Sequence, residues 1–165
     1  MDELVSFVVT TKNEEAYLAC CLKSIRKQTY RNVEIIVVDS CSEDRTVEIA
    51  KKYADKVVVR DCIMPVGRNI GAQISDGEFL VFLDADIILH EAWLETALSK
   101  LNDETVAVCG DLFPYAKGFK NKLLYWFLTF TKTLTYKIRI PNVGHAGTAV
   151  LVSKNAFKAV NGYTD

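Results

Sequence analysis

Short runs of apolar residues alternate with helical patterns along the first 110 residues. The runs are rich in Val, Ile and Phe and predict strands at residues 4–10, 33–38, 56–60, 78–83 and 105–109. Apolar positions with a helical period predict helices between them, at residues 15–29, 42–53, 66–75 and 91–101. Strands that are apolar on both faces and alternate with helices predict a mostly parallel sheet flanked by helices, which is an α/β fold. Ser42, Glu43 and Asp44 are predicted to supply the N-cap and first-turn acids of the second helix.

The pattern changes after Gly110. Residues 117–139 contain six Lys and Arg and no acid. An apolar helical stripe in this segment suits packing on the sheet, whereas three aromatic residues fall off the stripe: Tyr125, Trp126 and Phe130. The segment predicts an acceptor-side helix with a partner contact, and a lipid surface, a lipid-linked acceptor or a second copy of the chain stays open as that partner. A strand, a helix and a turn are then predicted at residues 144–152, 153–160 and 161–162.

Length and composition narrow the class of protein. With 165 residues, 50% of them apolar and 25% charged, the chain predicts a single globular domain. The net charge of −1 argues against a nucleic-acid-binding protein. Residues 1–116 hold 12 Lys and Arg against 20 Asp and Glu, a net charge of −8, and residues 117–165 hold 8 against one, a net charge of +7. This split predicts an anionic partner for the C-terminal part.

Cysteine usage and the lack of long apolar stretches bear on the compartment. The five cysteines form no Cys-x-x-Cys pair, which favours reduced thiols in a cytosolic protein. Cys21 shares an apolar helical stripe with Leu18, Leu22 and Ile25 and is predicted to pack in the core. No stretch reaches the roughly 18 apolar residues that a spanning helix needs. We expect a cytoplasmic protein, and residues 117–139 leave open a peripheral contact with the inner face of the membrane.

Acidic residues stand at the ends of two predicted strands. Asp39 follows the second strand, and Asp84 and Asp86 follow the fourth as Phe-Leu-Asp-Ala-Asp. Ligands of a parallel sheet bind beyond the carboxyl ends of its strands, and side chains two apart in an extended segment point the same way. Paired carboxylates favour a cation between them, and oxygen ligands suit Mg²⁺ or Mn²⁺, which bridge phosphates. The alternative is an Asp that caps the following helix.

A cation stands near the start of the third predicted helix. Arg68 and Asn69 open this helical segment, and Gly71 allows a close approach of its backbone. A cation at a helix start is not favoured by the macrodipole, so Arg68 is predicted to serve a ligand or an acidic partner. The alternative is a surface arginine paired with a carboxylate.

Four segments, in this order and at these separations, carry a resemblance to a known family. They are VVTTKNEE at 8–15, SIRKQTY at 24–30, EIIVVDSCSEDRT at 34–46, and the block from VGRNIG at 66–71 to GEFLVFLDAD at 77–86. Together they resemble the family 2 glycosyltransferases, nucleotide-sugar-dependent enzymes of the GT-A fold. The resemblance covers nearly the whole chain and implies a Rossmann-like sheet. It also implies transfer of a sugar to a hydroxyl acceptor in glycan, lipid or cell-envelope synthesis.

The resemblance implies a role for each matching position. The positions implied for the nucleoside pocket are Thr10, Lys12, Asn13 and Glu14. Asp39 is the implied partner of the nucleobase, commonly uracil, which favours a UDP-sugar as donor. The positions implied near the diphosphate and the donor sugar are Arg68 and Asn69. Asp84 would contact the ribose or the sugar, and Asp86 would ligate Mn²⁺ or Mg²⁺.

The chain departs from the family pattern in three places. Ser40 and Cys41 replace the second Asp and the Gly of the family's Asp-Asp-Gly-Ser segment. The Gln that follows the second Asp in dolichyl-phosphate mannose synthases is missing after Asp86, which disfavours that subgroup. Residues 161–165 resemble a turn that precedes the family's catalytic base, so the general base is expected outside this sequence.

We therefore expect one glycosyltransferase domain over residues 1–165 that is incomplete at its C-terminus. Residues 1–116 would bind the nucleotide sugar and the metal, and residues 117–165 would face the acceptor, with His145 as a candidate acceptor contact. With the base present elsewhere, attack of an acceptor hydroxyl would invert the sugar. The alternative is a nucleotide-sugar-binding domain without turnover. A receiver-like signalling domain lacks its acidic pair after the first strand, and a nucleotidyltransferase lacks its Gly-rich phosphate loop.

Overall fold

A computed structural model describes residues 2–102, 105–110 and 149–164 of the chain. The chain divides into two compact units, and all of the described residues belong to the larger one. Residues 149–164 therefore lie in the same unit as the N-terminal strands, although the sequence analysis assigns them to the acceptor-side part. The functional division near residue 116 stays a prediction.

The described part of the chain alternates strands and helices in the predicted order. The strands are β1 (Val5–Thr11), β2 (Val33–Asp39), β3 (Lys56–Val59), β4 (Phe79–Asp84), β5 (Ala107–Cys109) and β6 (Ala149–Ser153). The helices are α1 (Leu18–Arg26), α2 (Thr46–Tyr53), α3 (Met64–Ile74), α4 (Trp93–Leu98) and α5 (Lys154–Ala159). Ser153 caps α5 by accepting a 3.0 Å hydrogen bond from the Ala156 amide.

The strands form one sheet in the order β3-β2-β1-β4-β6-β5. Strands β1 to β4 pair in parallel, and β6 is antiparallel to both β4 and β5. This arrangement confirms the predicted mostly parallel α/β fold. The strand order reverses between β1 and β4, and ligands of open α/β sheets bind in the crevice at such a switch point. The register brings Thr10 of β1 opposite Asp84 of β4.

Alternate residues of the strands pack on helices at the two faces of the sheet. On one face, β1 contributes Val5, Phe7 and Val9 to a core that includes residues of α1, α2 and α4. The core on that face contains the four predicted α1 residues, which are fully buried: Leu18, Cys21, Leu22 and Ile25. On the other face, Val8 belongs to a second cluster that also contains residues of α3, β4, β6 and α5. A Cβ on Gly71 would lie 2.2 Å from Cγ1 of Val8, so glycine lets α3 approach β1.

Several helix boundaries differ from the predicted ones, for local reasons. Helix α2 begins at Thr46 and not near residue 42, because the Asp44 carboxylate accepts from the Thr46 amide and hydroxyl and from the Glu15 amide. Ser42 is likewise bound to other loop residues, so the predicted cap is wrong. Helix α3 begins earlier, at Met64, with a proline in its first turn. Arg68 therefore lies inside α3 and does not open it.

Candidate functional site

A pocket of about 730 Å³ opens at the carboxyl ends of the parallel strands. Its volume is in the range of small-molecule and cofactor sites, roughly 300–1,000 Å³. The polar residues that line it come from β1, β4 and the loops that follow β1, β2, β3 and β4: Thr10, Thr11, Lys12, Glu14, Ser40, Asp61, Cys62, Asp84 and Asp86. Five of the predicted site residues are among them: Thr10, Lys12, Glu14, Asp84 and Asp86. The other four predicted here do not line the pocket: Asn13, Asp39, Arg68 and Asn69.

Two carboxylates that line the pocket, Asp84 and Glu14, have raised pKa values. Burial raises the pKa of Asp84, and the charge of Asp86 adds to this rise, whereas the nearby Arg68 opposes it. Burial also raises the pKa of Glu14, and the charges of Asp86, Asp44 and Asp84 raise it further. Like charges held together in this way are stabilised by a cation, and carboxylate oxygens are ligands that Mg²⁺ and Mn²⁺ accept. The residues present therefore fit a divalent metal.

The segment after β4 is a turn and not the extended chain that the sequence predicts. Asp84 ends β4, and the Ile87 amide donates a 3.2 Å hydrogen bond to the Asp84 carbonyl. Asp86 thus lies within this turn and is exposed, yet both aspartates line the pocket. Within the described residues, no three His, Cys, Asp or Glu side chains by themselves form a metal site. A metal here would need further ligands, such as the oxygens of a diphosphate.

The end of β1 provides polar groups that the protein leaves available. The Thr10 hydroxyl oxygen is buried and has no hydrogen-bond partner within the described residues, and Thr10 lines the pocket. Lys12 is exposed and also lines it. Buried polar groups usually have partners, so an unpaired hydroxyl at a pocket wall indicates a ligand or water contact. Asn13 binds the neighbouring loop instead. Its backbone amide donates to the Ser42 hydroxyl, and its side-chain oxygen accepts from the Glu43 backbone amide.

Asp39 lies behind the pocket wall. It is fully buried, and its carboxylate accepts 2.8 Å hydrogen bonds from the Thr11 hydroxyl and the Ser42 amide, and a third from the Ser42 hydroxyl. These bonds fix the loop that carries Ser40 into the pocket. Cys41, which stands where the family has glycine, has a φ of 54°, in the left-handed region that favours glycine. The predicted contact of Asp39 with the nucleobase stays a prediction, and its observed partners are protein groups.

Arg68 forms an ion pair with a pocket aspartate. Its Nη2 atom donates to Oδ1 of Asp84 at 2.8 Å, and both side chains are largely buried. The guanidinium carbon lies 5.2 Å from the centre of the Tyr163 ring, within the range of a cation–π contact. Its Nε is buried and has no hydrogen-bond partner in the described part of the chain. Arg68 is therefore paired with a carboxylate, as one of its two predicted roles requires, and this carboxylate belongs to the site.

Asn69 holds the turn that follows α5. Its side-chain amide donates to the Tyr163 carbonyl and accepts from the Tyr163 amide, each at 2.9 Å. The turn requires Gly162, which has a φ of 74°, and a Cβ added to this glycine would lie 2.5 Å from the Asn69 side-chain oxygen. Both ends of the Asn69 amide are thus used within the protein. The predicted place of Asn69 beside the diphosphate stays a prediction.

The loop after β3 is the part of the pocket that the sequence analysis missed. Asp61, Cys62, Ile63 and Met64 line one wall, and Ile63 and Met64 are more than half exposed, at 59% and 52%. The Ser40 hydroxyl donates to the Cys62 carbonyl at 2.7 Å and so joins this loop to the end of β2. The available signal was the parallel sheet itself, because the loop after a third parallel strand shares the edge where ligands bind.

Two predicted features lie outside the described residues. These are the candidate acceptor contact His145 and the basic aromatic segment 117–139. Over residues 2–102, 105–110 and 149–164, the structure contains no helix with the length and apolar character needed to cross a membrane.

Three known proteins resemble this chain in sequence or in fold. The glycosyltransferase GlyG of Streptococcus pneumoniae is 31% identical over 141 residues, which cover 78% of this chain and 45% of GlyG. A mannosyltransferase from Pyrobaculum calidifontis, solved with GDP-Man and Mn²⁺, superposes with a TM-score of 0.74 at 19% identity and covers 97% of this chain and 47% of that one. TarS of S. aureus in complex with UDP-GlcNAc gives a TM-score of 0.67 at 21% identity, covering 98% of this chain and 48% of that one.

The structural likeness shows the fold, which is the GT-A type of α/β fold. The chain spans less than half the length of these three proteins. The profile of the family described as "Glycosyl transferase family 2" matches residues 6–160, which is nearly the whole chain. The chain therefore belongs to glycosyltransferase family 2.

Proposed function

We propose that this chain is the donor-binding part of an inverting glycosyltransferase. It would take a sugar from a nucleotide-diphosphate sugar, with a UDP-sugar as the first candidate, and pass it to a hydroxyl acceptor. The proposal rests on one observation: Glu14, Asp84 and Asp86 line the same pocket, where their negative charges repel each other. Such an arrangement costs stability and is expected where a bound cation and diphosphate compensate for it.

The pocket offers separate groups for the parts of the donor. The exposed apolar side chains of Ile63 and Met64 suit the face of a nucleobase, and the unpaired Thr10 hydroxyl suits a nucleoside oxygen. Lys12 brings a positive charge to the pocket that a diphosphate would meet. Arg68 neutralises part of the Asp84 charge and keeps that carboxylate oriented. UDP is the first choice because the relative TarS, 30% identical over 107 residues, is named an N-acetylglucosaminyltransferase and has been solved with UDP.

Asp86, with help from Asp84, is the proposed holder of Mn²⁺ or Mg²⁺. Support comes from the carboxylate chemistry of the pocket and from the Mn²⁺ present in structural relatives. A bound divalent ion supplies neutralisation of the negative charge that develops on the diphosphate leaving group. The chain's own contribution would be to place Lys12 and the Thr10 hydroxyl where they meet the donor, and to keep Asp84 oriented through Arg68.

The acceptor side of the reaction is the least defined part of the proposal. An acceptor hydroxyl would attack the anomeric carbon from the face opposite the diphosphate, and its proton would pass to a general base. We assign no such base among residues 2–102, 105–110 and 149–164. The name of TarS, a poly(ribitol-phosphate) transferase, supports an acceptor in cell-envelope assembly, and a glycan or lipid-linked acceptor is compatible with the same donor site.

Calorimetry on the wild-type chain and an Asp86→Ala variant tests the proposal. We expect UDP to bind more tightly with Mn²⁺ than with EDTA, and we expect Asp86→Ala to lose at least about tenfold of that gain, since even supporting residues of metal sites are worth this much. Asp2→Ala is the matched control, because Asp2 is an exposed acid far from the pocket along the β1 direction. GDP measured in parallel reports the preferred base.

Two results would count against the proposal. Equal Mn²⁺-dependent binding in wild type and Asp86→Ala would remove the metal role of Asp86. Absence of any nucleotide binding by the wild type would remove the donor site itself. Tight UDP–Mn²⁺ binding together with no sugar transfer by the full-length protein would favour the alternative, a nucleotide-sugar-binding domain without turnover.

A further inference from the structure

The segment that carries Asp86 has no regular structure of its own. It runs from the end of β4 at Asp84 to the start of α4 at Trp93, and it contains neither strand nor helix. Asp86 is exposed, whereas its neighbours Ala85 and Leu89 are buried, at 4% and 7% exposure. The place of the Asp86 carboxylate therefore depends on whatever holds the backbone of this segment.

Polar side chains along one face of α1 and just past its end hold this backbone. They are Cys21 and Ser24 on α1 and Gln28 just beyond its end. Their spacing of three and four residues places them on the same side of the helix and of the chain that follows it. The Cys21 thiol lies 3.7 Å from the Asp84 carbonyl oxygen, and the Ser24 hydroxyl accepts a 3.0 Å hydrogen bond from the Leu89 amide. The segment is thus anchored on both sides of Asp86.

Gln28 fixes the far end of the same segment. It is fully buried, its amide nitrogen donates to the His90 carbonyl at 2.8 Å, and its amide oxygen accepts from the Leu94 amide at 2.9 Å. The Ser24 hydroxyl donates to the Cys21 carbonyl while it accepts from Leu89, so its hydrogen-bonding groups are also used. Apolar residues at these two positions would leave the Leu89 and Leu94 amides without these acceptors, so the two buried polar side chains serve the backbone of this segment.

We propose that Ser24 and Gln28 are positioning residues for Asp86. They act through the backbone of residues 84–94, which they hold so that the Asp86 carboxylate faces the pocket when the metal and the diphosphate bind. The inference rests on the proposed function. It predicts that loss of either side chain weakens the metal-dependent part of nucleotide binding more than the metal-independent part.

Ser24→Ala is the sharper of two test variants because the chain offers a matched control. Ser75 is buried to the same degree as Ser24, 5% against 6% exposed, and its hydroxyl donates to the carbonyl three residues earlier at the same 2.7 Å. Ser24 alone of the two also accepts from a segment of the pocket. We expect Ser24→Ala to lower the ratio of UDP affinities in Mn²⁺ and in EDTA by about tenfold, and Ser75→Ala to leave this ratio unchanged.

Gln28→Met is the second variant, with a side chain of similar length and no hydrogen-bonding amide. Its control is Glu34→Gln, which alters a buried polar side chain at the other edge of the sheet. We expect Gln28→Met to lower the same affinity ratio, and we expect faster hydrogen exchange at the Leu94 amide, whose acceptor it removes. Thermal unfolding of all four variants measures the loss of stability separately.

The outcomes are distinguishable. A wild-type chain without Mn²⁺-dependent UDP binding would contradict the proposed function and the inference with it. A wild type with such binding, and Ser24→Ala and Gln28→Met variants that keep the full affinity ratio, would overturn the inference alone. A fall of the ratio in Ser75→Ala and Glu34→Gln as large as in the test variants would also overturn it, since general destabilisation would then explain the effect.

Discussion

Partly buried acids lie at both ends of the parallel strands, but their surroundings differ. The amino edge of the sheet is the side where these strands begin, and the carboxyl edge is the side where they end. At the amino edge, the Glu34 carboxylate accepts from the Ser6 hydroxyl and the Asp76 and Gly77 amides, and it pairs with Lys56 at 2.9 Å. Although burial alone would raise the pKa of Glu34, these hydrogen bonds and the Lys56 charge hold it below its usual value.

At the carboxyl edge, the positive charges and hydrogen bonds around the acids do not compensate fully for their burial and mutual repulsion, so we describe these acids as undercompensated. Asp84 has one partner in Arg68, and burial with the charge of Asp86 still raises its pKa. The pKa of Glu14 is raised by burial and by the neighbouring aspartates. The acid at the amino edge stabilises the fold, whereas the acids at the carboxyl edge weaken it, and a bound cation would relieve their repulsion. This difference separates structural carboxylates from candidate functional ones without any reference to relatives.

The largest expected effect is at the amino edge. Glu34→Ala removes one of the two carboxylates that pair with the Lys56 ammonium, and it leaves the Ser6 hydroxyl and the Asp76 amide without their acceptor. We expect the free energy of unfolding to fall by about 3 kcal/mol, because each buried donor left without an acceptor costs about 1–3 kcal/mol. Chemical denaturation measures the change, and UDP binding in Mn²⁺ should keep its affinity at temperatures where the variant is folded.

A loss of nucleotide affinity in folded Glu34→Ala would contradict the separation of the two edges. Glu34→Gln serves as the milder companion variant, because it keeps an acceptor oxygen and loses only the charge. Both variants lose the charge that pairs with Lys56, and only Glu34→Gln keeps an acceptor oxygen. If Glu34→Gln loses less stability than Glu34→Ala, the difference belongs to the hydrogen bonds and not to the Lys56 pair.

The second prediction concerns Asn69, which lies near the site but is bonded like a structural residue. Asn69→Ala removes two hydrogen bonds to the backbone of Tyr163, and we expect the free energy of unfolding to fall by about 1.5 kcal/mol. We expect the UDP affinity ratio in Mn²⁺ and EDTA to stay within twofold or so of the wild type, because the amide faces the turn and not the pocket. A large drop in this ratio with little loss of stability would instead support the predicted contact with the diphosphate.

The fold was predictable because its signals are local and repeated. The short apolar runs of β1, β2 and β4 are apolar on both faces, as expected for strands of a covered parallel sheet. Helix ends were less predictable, because polar residues near them had competing uses. The Asp44 carboxylate binds the nearby Thr46 amide at the start of α2, but it also accepts from the Glu15 amide, 29 residues earlier in the chain.

The site was predictable where the motif residue contacts the pocket directly, as for Glu14, Asp84 and Asp86. The hydrogen-bond partners of polar residues that turn inward could not be predicted. Asp39 and Asn69 belong to the same motifs, but their hydrogen bonds go to a loop and a turn whose positions depend on the folded chain. The proposed role of Gln28 was hidden for the same reason, since His90 and Leu94, two of its partners, lie more than 60 residues further along the chain.

The smallest expected effect has the opposite sign to the first. Glu14→Gln removes a carboxylate that Asp86, Asp44 and Asp84 repel, while it keeps the shape of the side chain. We expect the free energy of unfolding without metal to rise by about 0.5 kcal/mol at neutral pH, as for other relieved surface repulsions. We also expect added UDP and Mn²⁺ to stabilise the variant less than the wild type, because ligand binding no longer relieves this repulsion. A loss of stability in Glu14→Gln would contradict the view of the carboxyl edge as undercompensated.

The pH dependence of stability should have opposite signs in Glu14→Gln and Glu34→Gln, each compared with the wild type. The pKa of Glu14 is higher in the folded chain than in the unfolded one, so the unfolded state loses its proton first as the pH rises. Wild type should therefore lose stability relative to Glu14→Gln from about pH 4, where free Glu titrates, up to the raised pKa, and the gap should then stay constant. The pKa of Glu34 is lowered, so its contribution is present above the unfolded pKa and is lost as the pH falls through the folded one. The difference in stability between wild type and Glu34→Gln should thus grow with pH from the lowered pKa of Glu34 up to about pH 4, where free Glu titrates. Two difference curves with slopes of the same sign would show that the two edges do not differ in the way their hydrogen bonds indicate.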